Sequence, residues 1–141
     1  FMYNYPEHAD KNAVLLSIQN QFIDVSLSKN GQPAYYSLVS YSDLNQIPEI
    51  IEREFEKIKA ECCENINYAF YFGAALTKDV AMMCWETAML CGFEGMRLNA
   101  FRMMKTNLGK RERDYCSRTL QLYPPCIGGA LPYYHKRIKL F

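Results

Sequence analysis

The stretch AVLLSIQNQFIDVSLSKNGQPAYYSLVS, residues 13 to 40, decides the fold. It opens with an apolar run of strand length, residues 13 to 19, and residues 22 to 28 alternate apolar and polar side chains with the period of two of a strand. The Asn-Gly pair at residues 30 and 31 tolerates positive φ at both central positions of a type I′ turn. Strand-like residues 33 to 40 follow it. The stretch therefore predicts a three-stranded antiparallel meander.

An amphipathic helix is predicted directly after the meander. Apolar residues recur there at spacings of three and four, as on one face of a helix: Leu44, Ile47, Ile51, Phe55, Ile58 and Cys62. Pro48 fits this helix only in its first turn, where its missing N–H costs nothing, so Asn45 or Ser42 is the expected N-cap. The acidic residues are spaced as a solvated face and not as a catalytic pair: Glu49, Glu52, Glu54 and Glu56.

Two more strands and a second helix complete the predicted order. Residues 66 to 73 are aromatic and β-branched and end in glycine, which indicates a central strand. Thr77 can cap a helix that ends at Gly92, a natural C′ residue, and residues 93 to 99 predict a fifth strand. Each helix leaves enough chain for a right-handed crossover, so the fourth and fifth strands are expected to be parallel to their neighbours. A last helix is predicted between residues 112 and 122.

Composition excludes several classes of protein. The 141 residues are half hydrophobic with a formal charge of +1, so neither a disordered chain nor a globally basic nucleic-acid binder is indicated. One domain is expected over residues 1–141, with residues 1–12 as a linker or peripheral segment and residues 132–141 as a basic tail. No apolar run approaches the roughly 18 residues of a membrane helix. Six cysteines without CxxC spacing favour reduced thiols and a cytoplasmic location.

The order of elements and several segments resemble the superfamily of actin, sugar kinases and heat-shock ATPases. Residues 17 to 31 (SIQNQFIDVSLSKNG) are similar to its second phosphate loop, which in bacterial actin-like proteins usually runs Asp-x-Gly-Gly-Gly-Thr-x-Asp. Residues 71 to 76 (YFGAAL) resemble its adenosine loop, Gly-Gly-Gly-Ala-Leu. Residues 92 to 102 (GFEGMRLNAFR) and 126 to 131 (CIGGAL) are similar to the end of bacterial cell-division and pilus-assembly actin-like proteins. The pattern also resembles an uncharacterised bacterial actin-like family of unknown function.

The resemblance spans roughly residues 13 to 131 and implies an α/β fold, the ribonuclease H-like βββαβα(β) lobe of the actin-like fold. Such a lobe has a mixed five-stranded sheet with helices packed on it. The chain is then a single actin-like lobe, which could be the C-terminal half of a longer, two-lobed bacterial protein. In this superfamily the nucleotide lies in the cleft between two lobes.

Departures from the phosphate-loop pattern bear on function. The loop wraps glycine amides around phosphate and uses an Asp to hold hydrated Mg²⁺. Here Ser17 stands where the first Asp belongs, residues 19 to 21 replace the glycines, and Phe22 replaces the Thr. Asp24 is the part of the motif that survives. These residues predict that a nucleotide meets side chains instead of backbone amides.

The adenosine loop departs from its pattern as well. Phe72 and Ala74 occupy two glycine positions and leave Gly73 as the one place where backbone could approach a base closely. If a nucleotide does bind, the resemblance implies that Ser17, Asp24 and Gly73 line its site. No catalytic residue and no cofactor are predicted.

Other side-chain groups favour structural interpretations. His8 and His135 lie near opposite ends of the chain, so no metal site is predicted, and the adjacent Cys62 and Cys63 are expected to be buried thiols. A crossover helix must bury one face, so the core is the expected place of its large residues, although some could face a partner lobe: Met82, Met83, Trp85 and Met89.

Three functions of different class remain. The leading hypothesis is a non-catalytic actin-like module that binds a protein partner or its own missing lobe, and the balance is against an enzyme. The alternative is a nucleotide-dependent ATPase or kinase lobe whose phosphate contacts come mainly from a preceding lobe. The second alternative is a nucleic-acid-binding module using the basic stretch from Arg102 to Arg118, where Glu112 and Asp114 favour an ordinary solvated surface.

Overall fold

The protein's computed structural model describes residues 4–8, 10–62, 66–103, 105 and 107–125. Five strands form one mixed sheet: β1 (Ala13–Ile18), β2 (Phe22–Lys29), β3 (Gln32–Ser40), β4 (Tyr68–Phe72) and β5 (Glu94–Arg97). Their order across the sheet is β3-β2-β1-β4-β5. The pairs β1–β2 and β2–β3 are antiparallel, and β1–β4 and β4–β5 are parallel. The predicted meander and the predicted parallel strands are confirmed.

The β2–β3 turn has the predicted backbone geometry. Asn30 has a φ of 49° and Gly31 a φ of 75°. Positive φ at both central residues matches the right-handed twist of the flanking strands, which is why Asn-Gly suits this turn. This turn sets the pairing of β2 and β3 beside it, and an irregularity between Leu27 and Ser28 shifts their register further along.

Helix α1 (Ile47–Cys62) is preceded by a short 3₁₀ turn, Leu44–Gln46. Asp43 caps this turn by accepting a hydrogen bond from the Asn45 N–H at 2.8 Å, and the Gln46 side chain reaches back to the Asp43 N–H as in a capping box. The predicted cap, Asn45 or Ser42, is therefore corrected to Asp43. Pro48 is the second residue of α1 and lies in its first turn, as predicted.

The main core lies between one face of the sheet and two helices, α1 and α2 (Lys78–Leu90). In β1 and β2 the residues facing the helices are fully buried or nearly so, and they pair across the strands: Val14, Leu16, Ile18, Ile23, Val25 and Leu27. From α1, Phe55 packs its ring 4.2 Å from that of Phe93, centroid to centroid. Burying two aromatic rings in contact is among the larger single contributions to a core of this size.

The other face of the sheet is covered in part by the start of the chain. Tyr5 lies 4.8 Å from Phe70 and His8 lies 4.3 Å from Tyr68, between ring centroids. The Asn4 side chain donates to the carbonyl of Ala100 at 2.8 Å, which ties this segment to the chain after β5. Residues 4–8, part of the segment predicted as a linker or peripheral, thus pack on the sheet, and His8 is buried.

Helix α2 begins and ends as predicted. The Thr77 hydroxyl accepts a hydrogen bond from the Val80 N–H at 3.3 Å, and Gly92 after the helix has a φ of 81°. The inner face of α2 consists of Val80, Cys84, Thr87 and Ala88, and β5 lies close to it, since a side chain at Gly95 would overlap the Tyr71 hydroxyl and lie 3.2 Å from the Ala88 methyl. Helix and strand therefore approach too closely for large side chains.

The expectation that the large residues of α2 lie in the core is wrong for three of the four. Met82, Trp85 and Met89 are 49%, 47% and 53% exposed, whereas Met83 is partly buried against the core. At Ala88 the close approach of β5 leaves no room for a larger inward side chain, and the three exposed residues lie on the opposite side of the helix.

The last described helix, α3 (Lys110–Thr119), begins before the predicted range of 112 to 122, and residues 120 to 122 continue it as a 3₁₀ turn. The predicted segments 126–131 and 132–141, together with Cys63 and His135, lie outside the described residues, as does the Cys62 side chain. Among the helices that the structure describes, none is long and apolar enough to cross a membrane.

Candidate functional site

The three predicted site residues meet at one end of the sheet. Ser17 of β1 is paired in register with Asp24 of β2 on one side and with Phe72 of β4 on the other, and Gly73 follows Phe72. Parallel strands end at the same edge of a sheet, so the turn after β4 lies beside the turn after β1. We call residues 17–24 and 72–77 together the hairpin corner.

The β1–β2 hairpin is closed by its own backbone and by Tyr41. The Gln19 N–H donates to the Phe22 carbonyl at 2.9 Å, and the Tyr41 N–H donates to the Gln21 carbonyl at 2.9 Å. The Tyr41 hydroxyl also donates to the Gln19 carbonyl. None of residues 19–21, all of which are described, has a positive φ. An anion-binding nest needs a residue in the left-handed region, so this hairpin does not form one.

The two predicted polar site residues of the hairpin corner, Ser17 and Asp24, already have partners. The Gln19 side-chain amide donates to the Ser17 hydroxyl at 2.9 Å, and Ser17 is buried. The Tyr36 hydroxyl donates to the Asp24 carboxylate at 2.8 Å, and this bond raises the pKa of Tyr36. The Ser17 hydroxyl and one oxygen of the Asp24 carboxylate are thus bonded to neighbouring side chains of the same chain. In the part of the chain that the structure describes, no group of three or more His, Cys, Asp or Glu residues could hold a metal ion.

Gly73 is required by close packing at the same corner. It has a φ of 124°, and a side chain on it would overlap the Ile18 carbonyl at the end of β1. Its N–H donates to the Gln121 carbonyl at 2.9 Å, while the Ile18 carbonyl accepts from the Ala75 N–H at 3.1 Å. The segment after α3 therefore lies against the turn that resembles an adenosine loop.

A buried carboxylate on α1 was not predicted. Glu54 is fully buried, so the interpretation of the acidic residues as one solvated face is wrong for it. Its carboxylate accepts from the Tyr35 hydroxyl at 2.8 Å and pairs with the Lys57 ammonium at 2.7 Å. Burial alone raises the pKa of Glu54, but hydrogen bonds from Lys57, Tyr35 and Ser37 outweigh it and lower the pKa. Glu54 thus links α1 to β3 as an ion.

The remaining candidate groups are dispersed. The basic residues Arg111, Arg113 and Arg118 of α3 are exposed, with Glu112 and Asp114 between them. Cys84 in α2 is a free, buried thiol whose pKa is raised by burial to about 12, which makes it a poor nucleophile at neutral pH. Neither group lies at the hairpin corner.

A three-stranded meander, two crossover helices and the strand order β3-β2-β1-β4-β5 together define one class of protein. The chain has the fold of an actin-like lobe, with a mixed five-stranded sheet and helices packed on it.

A solved structure from a pilus complex shows the same fold. A chain of the PilM-PilN type IV pilus biogenesis complex is similar over 88% of this chain and 46% of its own length, with a TM-score of 0.62 at 10% identity. The ethanolamine utilization protein EutJ from Carboxydothermus hydrogenoformans is similar over 67% of this chain and 46% of its own, with a TM-score of 0.43 at 8% identity. No family model and no curated sequence matches this chain. The chain spans less than half the length of these solved chains. The likeness to the pilus-complex chain shows the fold alone.

Proposed function

We propose that this chain is a non-catalytic actin-like module that binds a protein partner or a second lobe. One observation carries the proposal: the hairpin corner uses its polar groups internally. Asp24 accepts from Tyr36, Ser17 accepts from Gln19, and the Gly73 N–H donates to Gln121. A nucleotide phosphate at this corner needs donors that are free to turn towards it.

Opening the hairpin corner to a ligand has an energetic cost. Redirecting the Gly73 N–H towards a ligand leaves the Gln121 carbonyl without its donor, whereas the Tyr36–Asp24 bond is exposed and water can replace it. Each polar group left unpaired in a buried place costs about 1–3 kcal/mol. A site built for Mg²⁺ and phosphate presents such groups already free, which is the meaning of preorganisation.

A binding role also agrees with the size of the chain. It covers 46% of a chain from the PilM-PilN complex, so a second lobe or a separate partner is part of the proposal. The proposal places the module in the bacterial cytoplasm. It assigns no cofactor to the chain.

The test is calorimetric titration of the longest natural chain with Mg-ATP and Mg-ADP at millimolar ligand. The expected result is no heat of binding and no thermal shift. Binding tighter than about 100 μM, which corresponds to about 5.5 kcal/mol, would overturn the proposal. That result would favour the alternative of an ATPase or kinase lobe, in which Ser17, Asp24 and Gly73 line the cleft and a preceding lobe supplies most phosphate contacts.

A single substitution sharpens the same test. Ser17→Asp restores the first acidic position of the resembled loop but leaves residues 19–22 closed by Tyr41. We expect this variant to show no ATPase activity, and appreciable hydrolysis would contradict the argument from the hairpin corner. For the nucleic-acid alternative, the signature would be salt-dependent binding that Arg111→Ala and Arg113→Ala abolish.

A further inference from the structure

The outward face of α2 is apolar. Met82, Trp85 and Met89, which we call the outer stripe, follow one another at spacings of three and four and therefore lie on one side of the helix. They are about half exposed, and Leu90 beside them is 89% exposed. The opposite side of α2 is the one that packs on the sheet, through Val80, Cys84, Thr87 and Ala88. A helix that is apolar on both sides is normally covered on both.

The residue types of the outer stripe are those that bind proteins. Tryptophan and methionine are enriched at the centres of protein interfaces, and tryptophan is prominent among the residues whose loss weakens binding most. Methionine adapts its shape to different partners. An ordinary solvated helix carries charged residues here, as α1 does with Glu52, Arg53 and Glu56.

Acidic side chains border the outer stripe. Asp79 precedes Met82 by three positions and Glu86 follows it by four, so both are its neighbours on the helix surface, and both are exposed; Lys78, four positions before Met82, is the one cation of α2 beside the stripe, so carboxylates outnumber cations there by two to one. Burial, and then the Glu52 and Glu56 carboxylates of α1, raise the pKa of the Cys91 thiol, although Lys59 opposes them. These carboxylates therefore lie near the C-terminal end of α2. A partner that fits this border carries positive charge beside its apolar residues.

A second copy of the chain fits this face poorly. In an antiparallel pairing of two α2 helices centred on Trp85, each Glu86 would lie near its symmetry mate, and like charges repel. The face is also small. A helix of 13 residues is about 20 Å long and about 10 Å wide, roughly 200 Å², whereas a stable dimer buries about 800 Å² on each partner. Charge and area both favour a short helical segment of another protein.

We propose that the outer stripe is the docking site for an amphipathic helix with lysine or arginine beside its apolar face, supplied by a protein partner. This inference rests on the proposed non-catalytic binding role and names the surface and the chemistry of the partner. Recognition is of the helix-on-helix kind, read as apolar anchors one turn apart. Trp85 is the central anchor, with Met82 and Met89 on either side of it.

Trp85 is the single tryptophan of the chain, so its fluorescence reports the docking directly. The probes are two synthetic helices of about 14 residues, one of leucine and lysine and one of leucine and glutamate in the same pattern. Titrated into the longest natural chain at low salt, the lysine peptide is expected to shift the emission to the blue. The glutamate peptide is expected to bind about tenfold more weakly, a difference of about 1.4 kcal/mol.

Three variants test the assignment with fluorescently labelled peptides. Trp85→Ala is expected to weaken binding of the lysine peptide by about tenfold or more. Asp79→Lys with Glu86→Lys is expected to reverse the preference between the two peptides. Leu38→Ala is the matched control, because Leu38 is an exposed apolar residue, 57% accessible, on the opposite face of the sheet. It is expected to bind both peptides as the natural chain does.

Several results would overturn the inference. The first two are equal affinity for the two peptides and unchanged peptide binding by the Trp85→Ala variant. The third is a dimer in solution that Trp85→Ala dissociates. The fourth is Trp85 emission in the longest natural chain that is already blue-shifted and shielded from iodide before any peptide is added. The last two identify a second copy or the chain's own second lobe as the occupant. If neither peptide binds and Mg-ATP still gives no heat of binding, the proposed docking site is wrong and the proposed function is retained. Mg-ATP binding overturns the proposed function itself.

Discussion

Helices α1 and α2 lie on the same face of the sheet, yet their outer faces differ. Outward from the sheet α1 shows charged residues, among them Glu52, Arg53 and Glu56, while α2 shows the outer stripe. Their inner faces differ as well, because α1 buries Ile51, Phe55 and Ile58 and α2 buries mostly small residues. The space between a helix and the sheet therefore determines which of its side chains can be buried. Large apolar residues that find no room there remain available for another molecule.

The largest effect on stability is expected for a substitution in the buried face of α1. Phe55→Ala removes a fully buried ring that packs on Phe93, so the free energy of unfolding is expected to fall by about 3–5 kcal/mol. Urea denaturation followed by circular dichroism measures it as a lower midpoint with an unchanged slope. A loss below about 1 kcal/mol would mean that α1 does not supply the core.

The next largest effect concerns the buried carboxylate of α1. Glu54→Gln removes the charge that pairs with Lys57 and accepts from Tyr35, and we expect a loss of about 1–3 kcal/mol at neutral pH. The exposed neighbour Glu56→Gln is the control and is expected to change little. Denaturation curves of both variants give the comparison.

The pH dependence of the Glu54 effect has a definite sign. Since folding lowers the pKa of Glu54, its ionised form stabilises the protein above the unfolded-state pKa of about 4.3. That contribution is lost as the pH falls through the lower pKa of the folded state. The difference between Glu54→Gln and the natural chain is therefore expected to shrink in acid, and a difference that grows in acid would contradict the assignment.

A smaller effect is expected at the start of α2. Thr77→Ala removes the hydroxyl that accepts from the Val80 N–H, which should lower the free energy of unfolding by about 1 kcal/mol. Thr77→Ser keeps a hydroxyl and is expected to retain most of the stability. Equal losses in the two variants would show that the methyl group, and not the cap, matters here.

The smallest effect on stability is expected for substitutions in the outer stripe of α2. Trp85→Ala and Met89→Ala remove side chains that are about half exposed, so each is expected to change the free energy of unfolding by about 0.5 kcal/mol or less. Thermal or urea denaturation by circular dichroism checks this. A loss near that of Phe55→Ala would place the outer stripe in the core and contradict its role as a docking surface.

Local patterns were sufficient for much of the fold. Alternation in residues 22 to 28, the Asn30-Gly31 turn and the Thr77 cap are each read within a few residues, and each was predicted. The apolar spacing of α1 likewise predicted its buried face at Ile47, Ile51, Phe55 and Ile58, but it was wrong for Leu44, which lies in the turn before α1 and is exposed. Such features depend on contacts that are close in sequence, which is why one sequence is enough to predict them.

Features that depend on distant residues were missed. Glu54 stands three positions after Ile51 and four before Ile58, so its spacing places it on the buried stripe, but a carboxylate suggests a solvated face. Its partner Tyr35 is 19 positions away. The inner face of α2 depends on Gly95 in another strand. Neither relation is visible in a local pattern.

Part of the candidate site could likewise be predicted from the sequence, and part of it could not. That Ser17, Asp24 and Gly73 lie together follows from strand register, and the resemblance placed all three at one cleft. The partners Tyr36 and Gln121 come from β3 and from the chain after α3. Which donor reaches which oxygen is settled by side-chain geometry, and the sequence pattern does not contain it.

The sheet order also has a consequence for how the chain folds during synthesis. The pairs β1–β2 and β2–β3 are joined by turns of a few residues, and hairpins of this kind form in about 1–10 μs. Strand β4 is made much later, after α1, and contacts so distant in sequence form slowly. Until then the apolar strand β1, central in the finished sheet, is an open edge that can pair with another chain. The most protected strand of the native protein is thus the most vulnerable one on the ribosome.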